Sequence, residues 1–166
     1  MARDASPSSR GVEGRVALVT GASSGLGRAT AGAFADAGAR VALLARSRGD
    51  LEQTAQEIAG QGREVMALPV DLADGDDVVR AVEQAAGAFG RVDVLVHAAG
   101  TDAPSSVLDL SIDDWDRVLG VNLKGTWAIC HAAASVSNGE AHVWAASSRP
   151  AASSAASSPG KLNWPV

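Results

Sequence analysis

The chain contains no tyrosine. Chemistry that needs a phenol to give or take a proton is therefore closed to these residues. A single cysteine, Cys130, excludes an internal disulfide and fits a reducing cytoplasm as the compartment. Placed between Ile129 and His131 on an expected helix, it reads as a small packed residue and not as a nucleophile. The three histidines, His97, His131 and His142, are far apart and lack the local spacing of a metal site, so no metal is expected. His97 reads as a strand-end residue, and the other two as core-edge positions. Lys and Arg number 14 against 19 Asp and Glu, for a net charge of −5, and they form no stripe. No nucleic-acid partner is expected, and the scattered cations read as solvated surface. Met1 to Glu13 mixes charges, serines and Pro7 without an apolar centre. It reads as a disordered leader, neither signal peptide nor membrane anchor, and no membrane partner is expected.

What the 166 residues do contain is an alternation of apolar strands with helical patterns, enough for one domain with a core. Strands are expected at 15–20, 40–45, 64–70, 92–97 and 141–146, with helices at 25–38, 48–60, 74–88, 111–119 and 122–137. Such alternation predicts an α/β domain over 14–148, a parallel sheet covered on both faces. Val78, Val82, Ala85, Ala86 and Phe89 form a sheet-facing stripe on the third helix. Ser111-x-x-Asp114 opens the fourth helix as a capping box, with Trp115, Val118 and Leu119 expected to face inward.

The most informative stretch is Thr20-Gly21-Ala22-Ser23-Ser24-Gly25-Leu26-Gly27, directly after the strand Val16 to Val19. A strand that hands over to a helix beside a pyrophosphate needs glycine at the tight positions, and Gly21, Gly25 and Gly27 fill them. Ala29, Ala33, Phe34 and Ala37 recur behind them at helical spacing, so the helix N-terminus faces the phosphates, with Ser23 and Ser24 adding hydroxyl donors. Taken alone, the glycines also fit a merely tight strand-to-helix connection.

Three further segments follow in order: Asp71-Leu72 after the third strand, His97-Ala98-Ala99-Gly100 at the end of the fourth, and Asn122 in Val121-Asn122-Leu123-Lys124-Gly125. Over residues 12 to 148 the chain resembles the short-chain dehydrogenase/reductase family. That family is marked by Thr-Gly-x-x-x-Gly-x-Gly, an Asn-Asn-Ala-Gly element and an Asn before a long helix. The resemblance implies a Rossmann-type doubly wound sheet of order 3-2-1-4-5, with a nucleotide crevice at the carboxyl ends of strands one and four. It implies a cofactor site made of Gly21, Ser23, Ser24, Gly25, Leu26, Gly27, Arg46, Asp71, Leu72, His97, Ala98, Ala99 and Gly100. Here Asn-Asn-Ala-Gly is replaced by His97-Ala98-Ala99-Gly100, which keeps the small residues and loses the amides.

Cofactor choice is read at the end of the second strand. An NAD enzyme places a carboxylate there for the ribose hydroxyls, but the slot holds Ala45, and Arg46 follows. A guanidinium can fork onto a 2′-phosphate, which favours NADP over NAD, although a solvated loop arginine is the plainer alternative. By resemblance Asp71 accepts from the adenine amino group; a turn carboxylate is its alternative.

The resemblance also implies hydride transfer between the cofactor and an alcohol/carbonyl pair, with a tyrosine acid, a lysine one helical turn on, an orienting serine and a water-holding asparagine. Ser147 resembles the serine, with Ser148 close behind it, and Asn122 resembles the asparagine, with a helix-start cap as its alternative. Tyrosine is absent, and Ser157 four residues before Lys161 is no substitute, because Pro159 and Gly160 break the turn between them. From Arg149 to Gly160 the sequence is a Ser/Ala/Pro run, so 149–166 reads as a disordered tail ending where the family continues by roughly half as much again. The resulting expectation is an oxidoreductase by descent, truncated after its fifth strand and inactive in this form. The alternatives are a cofactor-holding module without turnover, or a poorly folded remnant. The partners expected are a small alcohol or carbonyl in intact relatives, and a second copy recruited through an exposed sheet edge.

Overall fold

The computed structural model describes residues 11–137 and, for the backbone, 142–145. The strands are β1 (Val16–Thr20), β2 (Arg40–Ala45), β3 (Val65–Pro69), β4 (Val94–His97) and β5 (His142–Ala145). The helices are α1 (Gly25–Asp36), α2 (Arg48–Ala59), α3 (Gly75–Phe89), α4 (Ile112–Leu119) and α5 (Thr126–Val136), with a π-helical stretch, Gly120–Gly125, joining the last two. Every expected element is present, with ends within two residues of expectation except where the last helix begins.

All strands pair in parallel in the order β3-β2-β1-β4-β5, so the order reverses at β1. A parallel strand is covered on both faces, and side-chain alternation divides its residues between two cores. Val16, Leu18, Ala42, Leu44 and Leu95 point to the side filled by Val78, Val82 and Phe89 of α3 and Ile129 of α5. Ala17, Val19, Val41, Leu43 and Val96 point to the side filled by Ala31 and Ala35 of α1 and Leu51 and Ile58 of α2. At the amino end of the sheet, Asp93 is buried, accepts the Val16 N–H at 2.8 Å and pairs with Arg91. This acid fastens β1 to the entry of β4 at the end away from the glycine turn.

Two helix faces are set by packing, and on α4 an expectation is corrected. On α1 the buried residues are Gly27, Ala31 and Ala35, while Ala29 and Ala33 are exposed and Phe34 packs against the core from the side. On α4 the Ser111 cap forms, its hydroxyl accepting the Asp114 N–H at 3.1 Å, but no residue of the helix is buried. Trp115 is half exposed and Leu119 lies at the surface, so they do not face inward. His131 is likewise exposed, stacked on Trp127 at 5.1 Å between ring centroids, and not at the core edge. The side chain of His142 lies outside the described residues.

Candidate functional site

A cleft of about 690 Å³ opens at the carboxyl ends of β1 and β4, where the strand order reverses. Its walls come from three loops. The first is the glycine turn, Gly21 to Gly27, whose backbone is set by steric demands at each glycine. Gly21 has φ +66°, and a Cβ there would lie 2.8 Å from the Ala98 carbonyl oxygen. Gly25 has φ +51°, a conformation that side chains rarely adopt. At Gly27 a Cβ would strike the Gly21 carbonyl oxygen and lie 2.9 Å from that of Thr20. Ser24 is the extended N-cap of α1 and makes no side-chain capping bond. The first-turn N–H groups of α1 therefore face the cleft with no side-chain acceptor from their own cap.

The second wall is Ala45, Arg46 and Ser47 after β2, together with Val70, Asp71 and Leu72 after β3. Arg46 is exposed and makes no ion pair among the described residues. Asp71 uses Oδ1 to accept the Ala73 N–H at 3.0 Å, and its own N–H donates to Asp77 at 2.9 Å. The turn role and a place on the cleft wall therefore coexist in one residue. The third wall is Ala98, Ala99, Gly100 and Thr101 after β4, with Val121 across from them.

Of the residues expected from the sequence, all but three stand on these walls. His97 is buried behind the wall and does not line it; its ring nitrogens lie 2.9 Å from the hydroxyls of Thr20 and Thr126. Asn122 sits inside the π-helical stretch and not at a helix start. Its Oδ1 accepts the Thr101 N–H at 2.8 Å and its Nδ2 donates to the Thr101 carbonyl at 2.7 Å, so the amide mimics a strand partner for the loop. Ser147 lies outside the described residues.

The sequence reading missed several members. Thr20 accepts the Ala98 and Ala99 N–H groups at 3.1 and 3.2 Å. Arg117 donates to the Thr101 hydroxyl at 2.9 Å and to the Asp102 carbonyl at 3.2 Å. Gly125 is buried where a Cβ would come 2.7 Å from the Leu72 carbonyl, which brings the π-helical stretch against the β3 loop. The Asn122-x-x-Gly125 spacing was the available signal for this last contact.

Burial pushes the His97 imidazole below its ordinary value of 6.5, with two neutral hydroxyls as its hydrogen-bond partners. Below 6.5 the unfolded chain takes up a proton that the folded chain refuses. Stability from this group is therefore complete above that value and is lost as pH falls towards the lowered folded value. The melting temperature should decline between about pH 7 and about pH 5, before carboxylates titrate, and His97→Asn should flatten that limb. An unchanged limb in the variant would contradict this. Burial also raises the Cys130 thiol, as expected of an inert packed cysteine.

Comparison with known proteins decides the family. Residues 15–153 match the short chain dehydrogenase family. The chain belongs to that family. A D-threitol dehydrogenase of Mycolicibacterium smegmatis is 40% identical over 121 residues, which cover 73% of this chain and 46% of that protein. A short chain dehydrogenase from Burkholderia cenocepacia, solved in complex with NADP, matches with a TM-score of 0.77 and 36% identity over 81% of this chain and 55% of the other. A Burkholderia phymatum short chain dehydrogenase/reductase in complex with NAD matches with a TM-score of 0.77 and 33% identity, covering 80% and 48%. This short-chain dehydrogenase chain spans about half the length of the curated relatives it matches. Among the described residues, no helix is long and apolar enough to cross a membrane, and no group of three or more His, Cys, Asp or Glu could hold a metal ion.

Proposed function

We propose that the cleft binds a nicotinamide dinucleotide, NADPH in preference to NADH, within a protein whose reaction is hydride transfer between the cofactor and an alcohol/carbonyl pair. The observation that carries this is the glycine cradle. Side chains are excluded by backbone at Gly21 and Gly27, and the α1 N-terminus stands over the space left free. Relatives solved with NADP and with NAD support the cofactor class. The preference for NADPH rests on Ala45 and Arg46, a corner with a guanidinium and no acid at the position that would meet the ribose.

The cofactor supplies the hydride; these residues hold its phosphates, adenine and ribose. Gly25 and Ser24 would meet the pyrophosphate, Asp71 the adenine amino group and Arg46 the 2′-phosphate. Fluorescence titration should give tighter binding of NADPH than of NADH. Arg46→Ala should erase about tenfold of that preference while leaving NADH affinity in place. Equal affinities in the unsubstituted chain, or an undiminished preference in Arg46→Ala, would contradict the assignment.

A second reading, of this chain as a cofactor-holding module without turnover, is favoured by the absence of tyrosine. It carries a surface suited to association. Ile112, Trp115, Leu119, Leu123 and Trp127 are all exposed and recur at steps of three or four along the helical run from α4 through α5. An apolar stripe of this kind is rare on a monomer. Sedimentation should therefore show self-association that Trp115→Glu together with Trp127→Glu abolishes. A monomer at all concentrations would refute it.

A further inference from the structure

The hydrogen atoms around His97 can be placed from heavy-atom geometry. Thr20 Oγ1 accepts the N–H groups of Ala98 and Ala99, at 3.1 and 3.2 Å, which uses both of its lone pairs. Its one hydrogen therefore goes to His97 Nδ1, 2.9 Å away, and Nδ1 carries no proton. On the other side, Thr126 Oγ1 lies 2.6 Å from the Asn122 carbonyl, which can only accept, so the Thr126 hydrogen is committed there. Its oxygen then accepts from His97 Nε2–H at 2.9 Å. One protonation state satisfies every atom: the neutral Nε2–H tautomer. Among the described residues no buried side-chain polar atom is left unpaired.

This chain of hydrogen bonds links the two anchors of one cleft wall. Ala98 and Ala99 are held by Thr20 at the end of β1, and Thr101 is held by Asn122 from the π-helical stretch. His97 connects those anchors through Thr126, so the spacing between β1 and the helix that carries Asn122 is set by one buried ring.

We propose that His97 is a positioning residue: as the neutral Nε2–H tautomer it joins Thr20 to Thr126 and fixes the Ala98–Thr101 wall of the dinucleotide cleft against the π-helical stretch. It touches no reacting atom and acts through the wall it holds. The proposal rests on the cleft being a dinucleotide site, but its core is a statement about the unliganded chain. An asparagine at this position keeps an acceptor where Nδ1 stands, but its amide stops short of the Nε2 position, so it retains the Thr20 contact and cuts the link to Thr126; leucine fills the space and cuts both.

The test uses the full chain, labelled with ¹⁵N. The imidazole signals missing from His97→Asn identify His97, and at neutral pH its Nδ1 should resonate as unprotonated and its Nε2 as protonated. The backbone amide signals of Ala98, Ala99 and Thr101 should shift in His97→Leu and in Thr126→Val, and those of Ala98 and Ala99 should return towards the original positions in His97→Asn, which keeps the acceptor for Thr20. NADPH affinity should fall about tenfold in either cutting variant and no further in the double variant. A protonated Nδ1, or amide signals unmoved by Thr126→Val and by a folded His97→Leu, would overturn the proposal. Absence of NADPH binding in the unsubstituted chain would instead sink the cleft assignment, with the tautomer and amide signals still deciding for or against the role of His97.

Discussion

Gly27→Ala should destabilise the chain by at least about 2 kcal/mol and remove measurable cofactor binding, whereas Gly32→Ala, five residues on in the same helix, should stabilise it by about 0.5–1 kcal/mol. The two differ in what surrounds the added methyl group. At Gly32 nothing lies within 4 Å, so alanine brings its helix propensity without a penalty. At Gly27 the methyl would meet the Gly21 and Thr20 carbonyl oxygens, both backbone atoms of the phosphate turn. Neither can move without displacing α1 from β1, and a displaced helix N-terminus would no longer face the cleft proposed to hold the pyrophosphate. Thermal melts and an NADPH titration of both variants check this. A Gly27→Ala chain as stable as Gly32→Ala would show that the turn is looser than its contacts imply.

The same glycine explains why the buried face of α1 is not legible in the sequence pattern. The helix is rich in alanine, so both of its sides look alike to a hydrophobicity pattern. What selects the Gly27, Ala31 and Ala35 side is the need to pass a helix over the carbonyl of Gly21, a contact that spacing alone does not express. Strand positions and strand order were legible because each strand is a short apolar run bounded by turn residues, and the alternation with helices permits few topologies. Trp115 and Leu119 were placed inward because they are apolar, yet α4 buries nothing within this chain. Periodicity reveals that a stripe exists, not what covers it.

Long-range hydrogen bonds were the least legible part of the site. Thr20 and His97 are 77 residues apart, and His97 and Thr126 are 29 apart. Asn122 was located as a functional position, but the sequence placed it at a helix start. Its amide is instead spent on the backbone of Thr101, and its carbonyl on Thr126. Within this chain it shapes the cleft wall with both of its polar ends.

Carbonyl-dependent oxidation of NADPH by the purified 166-residue chain should remain at background even where cofactor binding is measurable. The carbonyl oxygen must take up a proton as hydride arrives, and a positioned acid is typically worth ~10²–10⁴-fold. No tyrosine is available anywhere in the sequence to supply it. The ionisable side chains on the described cleft walls are Arg46 and Asp71, at the end assigned to ribose and adenine. His97 cannot substitute, because its Nε2–H is committed to Thr126 and burial opposes its protonation. The Cys130 thiol is raised by its burial on α5, which makes it a poorer acid still. Orientation of the carbonyl carries a further large factor of its own, and among the described residues the Asn122 amide is spent on Thr101. Incubation with NADPH and a panel of ketones and aldehydes, followed by absorbance, tests this directly. Steady turnover that disappears in Asn122→Ala or Ser147→Ala would mean that an unrecognised proton donor operates in the cleft.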